Sequence, residues 1–133
     1  MAGPRSLQTP RIEQATLGTA NTGLDGSGTV VALFTGVATP GSVVRRITIK
    51  AKQVTTPGMI RLFKRHATGP VYTLIGEIKV GASPTPGATI PAWGYSGPLP
   101  AGDLLLPTAN DSLYGATETG DDFAVTTEGG DFT

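Results

Sequence analysis

From Val43 to Gln53 the chain alternates: Val43, Ile47, Ile49 and Ala51 fall at odd positions, Arg46, Thr48, Lys50 and Lys52 at even ones. A period of two marks a strand with one face on a core and the other in water. The surrounding stretch, Ser42 to Thr56, is the longest free of both Gly and Pro. Eight of its fifteen residues are Val, Ile or Thr, whose branched Cβ favours a pleated backbone. Alternation resumes after "TTPG", with Ile60 and Leu62 on one side and Arg61, Phe63 and Arg65 on the other. If the two segments form an antiparallel hairpin, opposed positions sum to an odd number. Ile60 and Leu62 then share the face of Ile47 and Ile49, and Lys50 and Lys52 lie beside Arg61 and Arg65. Like charges opposed across strands are destabilising, so such a two-strand basic surface needs water, salt or an acidic partner to offset it.

The remaining strand candidates are short and evenly spaced: 13–19, 29–35, 71–80, 90–96, 103–106, 112–119 and 122–127, with 43–53 and 59–66 between them. Gly- and Pro-set reversals separate them, among them "LDGSG" (24–28), "TPG" (39–41 and 56–58), "TGP" (68–70), "SPTPG" (83–87) and "PAG" (100–102). No segment reads as a helix. Eight or nine short strands so punctuated predict an all-β fold, an antiparallel β-sandwich of jelly-roll type, with an immunoglobulin-like sandwich as the second reading. Residues 1–12, polar and twice interrupted by proline, are expected to be an extended N-terminal arm, either frayed or ordered on a neighbour; residues 13–133 are expected to form the sandwich domain.

Composition narrows the function classes. A chain of 133 residues suffices for one core, and the formal charge is +0, so the net balance calls for no polyanionic partner. The distribution is less even: seven of the 10 Lys and Arg lie between Arg45 and Arg65, and seven of the 10 Asp and Glu at or after Asp103. With no cysteine, thiolate metal sites, disulfides and Cys nucleophiles are excluded. The first twenty residues lack the apolar core of a secretory signal, and no apolar run is long enough for a membrane span, so no membrane association and synthesis in the cytoplasm are expected. Nucleic acid is not expected either, because the basic strands carry one aromatic, Phe63, and the acidic C-terminal region opposes binding.

Chemistry is thin. His66 is the only histidine and sits at a strand end, so no catalytic residue, metal site or cofactor is assigned. "DGSG" (25–28) and "GDD" (120–122) lack the ligand count and spacing of a calcium loop and read as turns. In "PAWGYSGPLPAG" (91–102), Trp93 and Tyr95 share a parity. They are either a stacking platform for a sugar or protein partner or a plug at the end of the core.

The succession "NTGLDGSGTVVALFTG", "RRITIKAKQVTTPGMIRLFKR", "IPAWGYSGPLPAGDLLLPTAN" and "EGGDFT" resembles the small jelly-roll head decoration, or cement, proteins of tailed bacteriophages, from about Asn21 to the end. The resemblance implies a non-enzymatic virion protein on the outer capsid surface, a homotrimer that binds the major capsid protein where lattice subunits meet and stabilises the head. The interaction residues expected from charge and exposure are Arg45, Arg46, Lys50, Lys52, Arg61 and Arg65, with Trp93 and Tyr95. The alternative is a tail-tip or fibre β-sandwich module that binds carbohydrate or a receptor through Trp93 and Tyr95. A glycosidase with paired carboxylates ranks third.

Overall fold

The structure, a computed structural model, describes residues 7–38, 40–66 and 71–132. Its nine strands are β1 (Leu7–Leu17), β2 (Val31–Thr35), β3 (Ser42–Ala51), β4 (Gly58–Arg65), β5 (Tyr72–Val80), β6 (Gly94–Pro98), β7 (Leu104–Leu106), β8 (Ser112–Thr117) and β9 (Phe123–Phe132). They form two antiparallel sheets, one ordered β1-β9-β3-β6 with β7 also on β3, the other β2-β8-β4-β5. The pairing is nested: first with last, second with next to last, and so inward to the β4–β5 pair, with β7 an insertion. That is the winding of a jelly roll, and it decides between the two sandwich readings.

Each expected strand is present, with shifted ends. The segment expected to be an arm is strand from Leu7 onward, in register with β9 from Thr9↔Asp131 to Leu17↔Phe123; residues 1–6, and the "TGP" reversal at 68–70, lie outside the described residues. Pro10 does not prevent this, because β1 is an edge strand and a proline there need only turn its missing N–H away from the ladder. β9 runs to Phe132 rather than stopping near Thr127. Gly129 permits this: a Cβ there would fall on the Val43 carbonyl oxygen, beside the bulge that leaves Arg45 out of register.

The hairpin expected between β3 and β4 is absent. Residues 52–57 instead carry the chain from one sheet to the other. The Lys52 amide donates to the Asp122 carbonyl (3.0 Å), the Thr56 amide to the buried Asp121 carboxylate (2.7 Å), and the Thr55 hydroxyl to the Gly81 carbonyl (2.7 Å). These bonds pull the "TTPG" segment over the β8–β9 corner. The parity argument nevertheless survives for the core, since Ile47 and Ile49 meet Ile60 and Leu62 across the sandwich, joined by Leu17, Leu33, Phe34, Leu106, Leu113, Phe123 and Val125. For the basic residues it fails: Lys50 and Lys52 face out from one sheet, Arg61 and Arg65 from the other, so their side chains point in opposite directions across sheets about 10 Å apart.

The seam between β1 and β2 is closed by polar groups. Arg11 Nη1 donates to Asp131 Oδ1 and to the Thr35 carbonyl, and Nη2 donates to Glu13, each at 2.9 Å, while the guanidinium lies 4.3 Å from the centre of the Phe34 ring. Burial pulls the Arg11 pKa down, but hydrogen bonds to Asp131 and Glu13 outweigh it and the net shift is upward. Asp131 also accepts from Ser42 Oγ (2.7 Å), which in turn accepts from the Val37 amide (3.1 Å). Deeper in the seam, buried Thr127 Oγ1 donates to the Leu33 carbonyl (2.9 Å), at the residue that the β2 bulge leaves out of the ladder. Thr127→Val keeps the shape and leaves that carbonyl unsatisfied. The expected loss is about 1–3 kcal/mol in unfolding free energy by urea denaturation; an unchanged midpoint would remove the inter-sheet bond from the account.

Candidate functional site

The two outer faces of the sandwich differ. On the β2-β8-β4-β5 sheet, Phe63 points away from the main core and is nevertheless 0% exposed. The 18–30 connection between β1 and β2 runs across this side of the sheet. The Asn21 amide donates to the Thr117 carbonyl (2.8 Å) at one end of β8, and Gly26 rests on Tyr72 at the far end of β5 so closely that a Cβ would overlap the tyrosine's own. Tyr72 and Tyr114 meet edge to face at 5.3 Å, giving this side an aromatic cluster of its own.

The sequence specifies that flap locally. Asn21 Oδ1 accepts from the Gly23 amide (2.9 Å), and Nδ2 donates to the Ser27 (2.9 Å) and Thr29 (2.8 Å) carbonyls. Gly26 and Gly28 have φ of 85° and 77°, which a residue with a Cβ rarely adopts. Asp25 closes the tip by accepting from the Ser27 hydroxyl (2.6 Å) and amide (3.0 Å).

Among the described residues, no segment covers the outer face of the β1-β9-β3-β6 sheet. Register places three rows across it: Thr16, Ala124, Lys50 and Gly94; then Gln14, Thr126, Thr48 and Ser96; then Ile12, Glu128, Arg46 and Pro98. None of the twelve is buried. The middle row is a continuous line of hydroxyls and one amide. The flanking cations are held in place: Arg46 Nη2 donates to Ser96 Oγ (2.8 Å), Ser96 Oγ lies 3.2 Å from Thr48 Oγ1, and Lys50 Nζ donates to the Ala92 carbonyl (3.1 Å). Lys52 overhangs one end of the face, beside a shallow depression of about 330 Å³ lined by Gln14, Thr16, Ala124 and Thr126. Arg46, Lys50 and Lys52 against Glu128 and against Asp122, which lies beside Lys52, leave the face net positive.

The eight residues expected to form the interaction site are therefore divided. Arg46, Lys50 and Lys52 stay together on the bare face. Arg45 sits at the β3 bulge, 3.8 Å from Asp103, both more than half exposed, a pairing of about 0–1 kcal/mol. Arg61 is buried: Nη2 pairs with Glu118 at 3.0 Å, while Nε and Nη1 are enclosed without a partner, so its charge serves the fold and not a docking surface. Arg65, half-buried, donates to the Asn110 carbonyl at 3.4 Å on the flap-covered sheet. Trp93 and Tyr95 turn inward, because Tyr95 is in register with core residue Ile49. Trp93 packs edge-on against Phe123 at 5.8 Å and Tyr95 Oη donates to the Pro98 carbonyl at 2.7 Å, so the pair packs onto the core with both rings half-buried.

Several residues of the bare face escaped the sequence reading: Ile12, Gln14, Thr16, Thr126 and Ser96. The alternation in "IEQAT" and "VTTE" was the available signal for the first four, but their neighbours depend on pairing strands more than a hundred residues apart, and Ser96 is placed by its pairing with Thr48. The acidic turns bind their own backbone. Asp121 Oδ2 accepts from the Thr56 amide (2.7 Å) and Thr119 hydroxyl (3.0 Å), and Asp111 Oδ2 from Thr108 Oγ1 (3.1 Å). Among the described residues no group of three or more His, Asp or Glu is placed to hold a metal.

No family model and no curated protein matches this chain. Among solved structures, a chain in the crystal structure of the T13 IBDV viral particle is similar, with a TM-score of 0.38 and 12% identity over 92% of this chain and 32% of that one. This chain thus spans about a third of the length of that protein.

The flap predicts a pH response. Hydrogen bonds from the Ser27 hydroxyl and amide hold the Asp25 carboxyl below its usual value. A depressed carboxylate contributes order that is complete above the unfolded pKa and is lost as pH falls through the folded one. The Ser27 amide resonance is expected to titrate with a midpoint below about 3.9, the ordinary aspartate value; a midpoint at or above it would overturn the turn geometry.

Proposed function

We propose that this chain is a virion structural protein of a tailed phage, a capsid decoration protein that docks on the major capsid protein at the outer surface of the head and stabilises it. The observation that carries the reading is the asymmetry of the two faces. One is sealed by the flap; the other is flat, uncovered and positive, with Arg46 and Lys50 tied in place by Ser96 and the Ala92 carbonyl. The family resemblance from Asn21 onward points the same way.

A cement protein gains strength by burying surface on several lattice subunits at once. A face of short, pre-ordered side chains loses little side-chain entropy on docking, and cations meeting an acidic surface fix its register. Three copies around a three-fold or quasi-three-fold intersection would present three such faces together, so that many weak contacts act in parallel. The activity proposed is adhesion, with no substrate converted.

Binding to particles stripped of this protein tests the assignment. Reversal of both cations, Arg46→Glu with Lys50→Glu, is expected to weaken occupancy by about a hundredfold, each reversal costing on the order of 1.4 kcal/mol. Arg65→Glu, on the sealed side, is expected to leave occupancy unchanged. Full occupancy by the double variant would refute the docking face.

A further inference from the structure

The sheet edges are guarded unequally. β2 is a five-residue strand with a bulge at Leu33, and β7 has only three residues. β6 contains Gly97 and ends at Pro98. β5 is interrupted between Leu74 and Gly76 and carries exposed Glu77 and Lys79. Short strands, bulges, prolines and charges are the devices by which soluble proteins keep edges from pairing.

β1 is the longest and least broken of these edges, although it carries Pro10 and the paired Arg11 and Glu13. It is eleven residues long and keeps unbroken register with β9 from Thr9 to Leu17. Pro10 has no N–H for the β9 ladder and must turn that position outward, so by strand alternation Ile12, Gln14 and Thr16 also direct their backbone N–H and C=O to the free edge. Their side chains are uncharged, and Ile12, at 64%, is the most exposed large apolar residue among those described.

We propose that β1 is a self-docking edge, pairing antiparallel with β1 of a second copy about a two-fold axis at Ile12. A two-fold contact must be self-complementary, and this register is. Ile12 meets Ile12 of the partner subunit, so each covers the other's exposed side chain. Arg11 and Glu13, already paired at 2.9 Å within each subunit, then stand opposite Glu13 and Arg11 of the partner subunit, so the two pairs alternate in sign. Opposite charges across strands stabilise the pairing, whereas an axis at Glu13 would oppose carboxylate to carboxylate and one at Arg11 guanidinium to guanidinium. Pro10 falls opposite Gln14 of the partner subunit, where its carbonyl can still accept one bond. The two bare faces then merge into one sheet surface with twice the strands. Such a contact goes beyond the docking proposed above, and it would join copies on neighbouring lattice positions.

Sedimentation velocity of the full chain, free of capsids, over about a hundredfold range of concentration tests it. The wild type is expected to reach twice the subunit mass. Ile12→Lys, at a position already exposed in the subunit, is expected to keep the far-ultraviolet dichroism and associate at least tenfold more weakly, because it opposes two ammonium groups at the axis. The chain has no cysteine, so register can be read directly. Ile12→Cys is expected to give a covalent dimer on mild oxidation and Thr16→Cys not to. A wild type at single-subunit mass throughout, an assembly unaffected by Ile12→Lys, or equal crosslinking at the two positions would overturn the proposal. Particle binding enters none of these readouts, so failure here and failure of the capsid docking are separable.

Discussion

Closure of the first strand on the last is the constraint on which this molecule depends. In the nested pairing, β4 and β5 are neighbours in sequence, whereas β1 and β9 are joined across nearly the whole chain. The entropy of closing so long a loop is unfavourable before any contact repays it. Arg11 makes the repayment local: one guanidinium bonds β1 to β9 through Asp131, to β2 through the Thr35 carbonyl, and lies on Phe34. Ser42 extends the same network to β3. The Leu17 side chain and the Thr127 hydroxyl, both buried, finish the seam, so the edge of the roll is fixed by hydrogen bonds as much as by apolar contact.

That closure also creates the difference between the faces. Once β1 is in one sheet and β2 in the other, the thirteen residues between them must cross the sandwich edge. The bonds of Asn21 and the left-handed glycines fold this connection back over Phe63 and the tyrosines. Among the described residues the opposite sheet receives no such segment, and its outer face is a pleated surface of Thr, Ser, Gln and charged side chains, cations in the majority. Topology thereby makes the two sides unlike. Arg61 illustrates the cost on the other side: a guanidinium with Nε and Nη1 enclosed and unmatched, kept because Glu118 satisfies part of its charge.

The strands were legible in the sequence because Gly and Pro punctuate them and because Val, Ile and Thr alternate within them. Which strand pairs with which was not. Nothing in "TTPG" distinguishes a two-strand reversal from a crossing between sheets. The distinction lies in Asp121, some sixty residues later, which draws the Thr56 amide to the β8–β9 turn. Parity placed Ile60 and Leu62 correctly in the core, since a strand keeps its inward face whether its neighbour lies beside it or opposite. It misjudged Phe63 for the same reason: alternation tells which face a residue takes, and not whether a distant loop will cover that face. Trp93 and Tyr95 were ambiguous until the pairing of Tyr95 with Ile49 fixed their direction.

A chain of zero formal charge can still dock by charge, because the relevant quantity is the local field and not the sum. Salt at physiological strength screens exposed charges beyond about 8 Å, less than the separation of two outer faces across a sandwich whose sheets alone lie about 10 Å apart. The acidic residues of the turns and of the flap-covered sheet therefore do little to cancel Arg46 and Lys50 at a surface that touches them. Several acids are also occupied: Asp25, Asp111 and Asp121 accept from their own turns, and Glu118 from Arg61. What an approaching acidic surface meets is Arg46, Lys50 and Lys52, spaced by the pleat and braced by Ser96, with Glu128 and Asp122 set among them. A rigid roll with several of its carboxylates spent internally is thus net cationic on one side without being basic as a whole.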